Sequence, residues 1–130
     1  MPLVIVDTST WIEYFRNLRS AHGDEVEQLV RESRVVVVGV VYAELLHGAR
    51  SESELRTLED TLGELPFLES DKEAWRRAGY LLLELRRRGR IIPLADALIA
   101  ALALAGDHQV YSLDEHFRDV PGLELYQAGS

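Results

Sequence analysis

The chain contains no cysteine, and lysine occurs once, at Lys72, among fourteen basic residues. The first absence excludes disulfides, zinc ribbons and thiol chemistry together. The second excludes a P-loop, whose lysine reaches the phosphates, and a phosphate-sensing receiver domain. Positive charge as a whole is short, since 14 Lys+Arg against 22 Asp+Glu leave a net charge of −8. That field is a poor one for nonspecific binding of nucleic acid. No apolar run reaches the about 20 residues that a membrane-spanning helix needs. Met1-Pro2 leads straight into a strand pattern without a basic leader or cleavage site, so a cytoplasmic protein with no membrane partner is expected. Internal repeats, low-complexity tracts and linkers are lacking too. The 130 residues are read as a single domain, 1–130, large enough to bury a real core.

What is present is an ordinary globular balance, 47% apolar and 28% charged. The most telling stretch is Ile91–Ala105, where Asp96 is the one charge among otherwise apolar residues and a proline. Alanine and leucine dominate it, which predicts a buried helix. Pro93 suits the position at or before its start. A carboxylate there either caps the helix, meets a cation or binds a metal, because a buried unpaired charge is costly.

Taken in order, Leu3–Val6 is a continuous apolar run that predicts a strand covered on both faces. It ends at Asp7, and Thr8-Ser9-Thr10 then lead into a short helical turn at Trp11–Phe15. Asn17–Gly23 reads as a polar loop, and Asp24 as the cap of a helix to about Ser33. Val35–Val41 is a second buried strand, passing into a helix at Tyr42–Gly48 whose lone charge is Glu44. Ser51–Glu54 and Ser70–Glu73 each read as a capping box. The second opens the longest helix, which ends at Gly89. Gln109–Tyr111 is a short strand, Ser112–Phe117 a polar turn, and Leu123–Tyr126 alternates like an edge strand. Strands alternating with helices predict an α/β fold with a central, mostly parallel sheet flanked by helices.

Ligands of such sheets bind beyond the carboxyl ends of the strands. Asp7, Glu44, Asp96 and Asp114 all map to that edge. Carboxylates gathered in one cleft repel unless a cation intervenes. With no cysteine and no paired-histidine spacing, the donors are oxygen, which suits Mg²⁺ or Mn²⁺. A cation so held activates water against a phosphodiester. Taken singly, Asp7 also fits a helix cap, Glu44 an arginine partner and Asp114 a turn, while Thr8 and Ser9 fit either capping or a metal-bound water. His22, His47, His108 and His116 lack ligand spacing. Arg86-Arg87-Arg88 and Arg90 suit a helix C-terminus in solvent or an RNA backbone contact.

Val6-Asp7-Thr8-Ser9, Tyr42-Ala43-Glu44-Leu45, Leu94–Ala100 and Ser112–Phe117 together resemble the four motifs of PIN-domain nucleases, in order and across the whole chain. Within these the sequence resembles the VapC-type toxins of toxin–antitoxin pairs. The resemblance implies a PIN-like fold and a Mg²⁺- or Mn²⁺-dependent endoribonuclease, homodimeric and inhibited by a cognate antitoxin. By position it implies an acidic tetrad of Asp7, Glu44, Asp96 and Asp114. Asp7 and Asp96 are its firmest metal ligands, and Ser9 and Ser112 lend support. Two departures stand out. Ser112 replaces a frequent threonine, and His116 stands where a second aspartate is frequent. An aspartate-nucleophile phosphatase is a weak rival, since Ser9 occupies the place of its second aspartate. A catalytically silent PIN-like domain that binds RNA or protein is the stronger alternative. Trp11, Tyr14, Phe15 and Leu81–Leu83 offer apolar surface for the homodimer, with Trp11 and Trp75 each read as a core or a dimer contact; a basic side chain of the antitoxin would pair with the acidic pocket, its apolar flanks docking near Trp11.

Overall fold

The computed structural model describes residues 1–17 and 19–129. Leu18, inside the expected polar loop, lies outside the described residues. Four strands are present there, β1 (Val4–Val6), β2 (Val35–Val38), β3 (Phe67–Leu68) and β4 (Gln109–Tyr111), in the order β3-β2-β1-β4. All pairings are parallel, with Ile5 opposite Val36 on one side and Val110 on the other. Side chains alternate between the faces of a strand, yet every residue of β1 and β2 is buried. Both faces of the sheet are therefore covered, as the unbroken apolar runs require.

The covering helices are α1 (Thr8–Arg16), α2 (Ala21–Arg31), α3 (Gly39–His47), α4 (Glu52–Gly63), α5 (Lys72–Arg87) and α6 (Leu94–Gly106). In α6 the seven residues Ala97–Ala103 are all buried, which identifies it as the core helix. Its alanines let α5 and the sheet approach closely, while Leu98 and Ile99 fill the remaining space.

Several boundaries differ from the sequence expectation. The expected turn after β1 is a nine-residue helix, because Asp7 caps it and Trp11 drops into the core with 0% exposure. Helix α2 starts three residues before Asp24, capped by Ser20, whose side chain accepts from the Gly23 amide at 2.9 Å. A Cβ on Gly23 would lie 3.0 Å from Ser20 Oγ and 3.1 Å from the Asn17 carbonyl, so the glycine permits this tight start. The run Val35–Val41 splits, the strand ending at Val38 and α3 beginning at Gly39. Asp71, not Ser70, caps α5 by accepting from the Ala74 amide at 2.9 Å. Ser51 caps α4 as expected. Leu125 adds only an isolated parallel bridge to Val110.

Candidate active site

The parallel order brings the ends of β1 and β4 side by side, and the candidate site grows from them. Asp7 follows β1 directly and is only 3% exposed. It caps α1 by accepting from the Thr10 amide on Oδ1 at 3.2 Å, and the same oxygen accepts from Ser9 Oγ at 2.7 Å. Its other oxygen accepts from Ser112 Oγ at 2.6 Å, across 105 residues of chain. The two serines hold the loop after β4 in turn. Ser9 Oγ accepts from the Leu113 amide at 3.1 Å, and Ser112 Oγ from the Asp114 amide at 2.9 Å. Thr10 Oγ1 ties the start of α1 to the Tyr111 carbonyl at 3.0 Å.

These donors are neutral, so they orient Asp7 without cancelling its charge. Burial pushes the Asp7 carboxyl above its usual range. The Ser112, Ser9 and Thr10 hydrogen bonds oppose that rise, and the charge of Asp114 adds to it.

Asp96 is the third residue of α6, whose N-cap is Pro93 without a side-chain cap bond. The capping role open to Asp96 from sequence is therefore not the one it takes. Its side chain, 13% exposed, instead accepts from His116 Nδ1 on Oδ2 at 2.7 Å. Burial raises this carboxyl too. His116 opposes the rise, and the charges of Asp7 and Asp114 add to it. Asp7, Asp96 and Asp114 thus lie within one another's field.

Glu44, in the sixth position of α3, is exposed and accepts from Thr8 Oγ1 on Oε1 at 2.9 Å. Thr8 follows Asp7, so this bond ties Glu44 to the same sheet edge. Asp114 precedes the 3-10 helix Glu115–Asp119 and is exposed. The structure thus gathers Asp7, Asp96 and Asp114 electrostatically and ties Glu44 to Thr8, the neighbour of Asp7 in the chain. Among the described residues, no three of His, Asp and Glu stand close enough to enclose an ion in the orientations seen. The chemistry of the edge nonetheless fits a divalent cation, with oxygen donors, two carboxyls destabilised as anions and His116 the basic group in contact.

The whole-chain comparison decides the family. Residues 4–123 match the PIN domain family. Over 132 aligned residues the chain is 32% identical to Ribonuclease VapC11 of Mycobacterium tuberculosis, covering 98% of both proteins. This chain is a PIN-domain protein of the VapC ribonuclease family. Among solved structures it resembles DNA-bound VapBC from Salmonella typhimurium, with TM-score 0.84, 25% identity and coverage of 97% and 98%. It also resembles VapBC-5 from Mycobacterium tuberculosis, a member of the VapBC family of toxin-antitoxin systems, with TM-score 0.64, 25% identity and coverage of 95% and 94%.

Within this PIN domain, three participants escaped the sequence reading. Thr10, which by type is one more N-cap residue, bridges to β4. Thr8, by sequence a cap or a partner of a metal-bound water, holds Glu44. His116 lacks ligand spacing, and a single hydrogen bond to a carboxylate twenty residues away has no periodic signature.

Of the two roles open to Trp11 the structure gives the core one: it is fully buried, and Tyr14 and Phe15 pack on the core, so Trp11 itself offers no surface to a second subunit or an antitoxin. Exposed apolar side chains sit elsewhere, at Trp75, Tyr80, Ile91 and Leu94. No helix of the described residues is long and apolar enough to cross a membrane.

Proposed function

We propose that this chain is the ribonuclease of a VapBC-type toxin–antitoxin pair, cutting RNA with a divalent cation, Mg²⁺ or Mn²⁺, held by Asp7 and Asp96. The observation that carries the reading is the pair itself. Two carboxyls at the carboxyl edge of a parallel sheet are raised by burial and by neighbouring negative charge. Carboxyls perturbed in this way cluster at functional sites, and a cation is the group that would stabilise both as anions. A bound cation would activate a water and neutralise charge on the scissile phosphate.

Around it the chain's own residues have separable tasks. Ser9, Thr10 and Ser112 orient Asp7, and Thr8 orients Glu44. Asp114, held by its amide on Ser112, adds negative charge facing the cleft. Glu44 and Asp114 supply the remaining carboxylates of the tetrad. The partners follow from the same family reading: an RNA substrate, an antitoxin protein and a second copy of the chain, packed through the exposed apolar residues of α5 and the α5–α6 turn.

The experiment is cleavage of RNA by the purified chain with Mg²⁺ or Mn²⁺, then with excess chelator. Metal-dependent cleavage abolished by chelation, and lost in Asp96→Asn, is expected. A well-folded wild-type chain that binds RNA but leaves it intact with either metal would instead support the silent binding domain.

A further inference from the structure

We propose that His116 is a positioning residue, whose Nδ1–H fixes the Asp96 carboxylate so that its free oxygen faces the cation. The inference rests on the metal-site reading above.

Among the described residues the Asp96 side chain has no other anchor. It lies in the first turn of α6, but that helix has no side-chain cap, and among the described residues His116 is its one side-chain hydrogen-bond partner. A carboxylate only accepts hydrogen bonds, so the ring nitrogen 2.7 Å away carries the proton. This contact occupies Oδ2 and leaves Oδ1 open. Asp7 differs, with both oxygens engaged by hydroxyl donors.

The element that carries the anchor is packed into the core. His116 sits on the 3-10 helix Glu115–Asp119, where its neighbour Phe117 is 1% exposed in the core and Val120 closes the turn at 5%. Arg90 reaches Asp119 at 3.6 Å and ties this helix to the segment that leads into α6. The imidazole and the carboxylate are thus held from two connected sides. An aspartate at position 116, the residue frequent in the resembling motif, would present a second acceptor to Asp96 and could not donate. This chain has an orienting donor in place of a further carboxylate. Partners that orient metal-binding carboxylates carry substantial affinity in other metal sites.

The test is Mn²⁺ binding by the full chain without RNA, followed by electron paramagnetic resonance of the free ion. His116→Ala should weaken Mn²⁺ binding about 10- to 100-fold. His116→Asn places an amide N–H where Nδ1–H stood and has no counterpart of Nε2, so it should stay within about 3-fold of wild type. His116→Gln moves the donor one bond outward and should weaken binding as His116→Ala does; it decides the matter if the alanine variant does not fold.

Wild-type Mn²⁺ affinity in His116→Ala or His116→Gln, alongside weakened binding in Asp96→Asn, overturns the positioning role and leaves the metal site standing. Equal loss in His116→Asn and His116→Ala overturns it as well, because the donor at Nδ1 would then not be what matters. Wild-type affinity in both Asp7→Asn and Asp96→Asn removes the metal site and this inference together.

Discussion

Asp7 is ionisable, 3% exposed and without a cationic partner among its hydrogen bonds. Its folded-state pKa lies above the unfolded value. A group raised in this way contributes stability that is full below the unfolded pKa and lost as pH rises through the folded one. At neutral pH without metal, the ionised Asp7 therefore works against the fold. Asp7→Asn keeps the helix cap, since asparagine caps as well as aspartate. Its Tm in chelator should exceed wild type by about 2–4 °C, the equivalent of roughly 0.5–1 kcal/mol at this size, while cleavage disappears. A lower Tm, read by scanning calorimetry at pH 7, would contradict this account. The activity loss in Asp96→Asn should reach at least about 100-fold, the size of losing one preorganised electrostatic group. Trp11 offers a different residue-scale test. Its indole Nε1 is buried without a hydrogen-bond partner, although its ring stacks on Phe15 at 5.6 Å and meets Tyr14 edge-on at 5.5 Å. Trp11→Phe removes the orphan donor and keeps a ring, so it should cost less than about 2 kcal/mol in denaturant unfolding. Trp11→Ala should cost about 3–5 kcal/mol.

Among the elements, those written in one unambiguous pattern were legible from sequence. Leu3–Val6 is too apolar for anything but a covered strand or core helix, and Asp7 with the threonines after it stops it short. The nine residues after Asp96 are too rich in alanine and leucine to be other than a core helix, and Ala97–Ala103 are buried. The boundaries that moved are those where two signals competed. A β-branched run does not mark where strand gives way to helix, and the Val35–Val41 run crosses that line at Gly39. Gly23 argues against a helix by propensity, yet the first turn of α2 accepts it because nothing larger fits beside Ser20 Oγ. The four carboxylates were legible as positions along the sheet edge. Their hydrogen bonds were not, because Thr8–Glu44 and His116–Asp96 join elements whose mutual orientation only the packed fold defines. Close packing of α6 can be probed directly. Ala100 has 0% exposure, so Ala100→Leu forces extra volume into a filled interior and should destabilise by about 1–3 kcal/mol, read by urea unfolding.

For the whole molecule, a net charge of −8 and an acidic cleft mean that RNA approaches against the field. Cations in solution would therefore serve association as well as the proposed chemistry. Much of the arginine content is already committed, with Arg88 to Glu84 at 2.9 Å and Arg76 and Arg77 to Glu73 at 3.0 and 3.2 Å. The proposed second copy has a clean test in Ile91, which is 88% exposed and contributes little to the folded monomer. Wild type should sediment as a dimer at micromolar concentration, and Ile91→Asp should shift it toward monomer with its Tm at low concentration unchanged. A dimer that survives Ile91→Asp with undiminished affinity would place the interface elsewhere.

The Asp7–Ser112 hydrogen bond has a consequence in time. It joins residues 105 positions apart, and β4, which seats Ser112, can pair with β1 only after everything between them has been made. Synthesis runs from the N-terminus, and domains fold as their segments become available. A growing polypeptide thus displays Asp7 and Glu44 long before Asp114 and His116 have been translated. The proposed cutting edge closes only when β4 has been made, so a ribosome making this protein meets no assembled edge while the first hundred residues emerge.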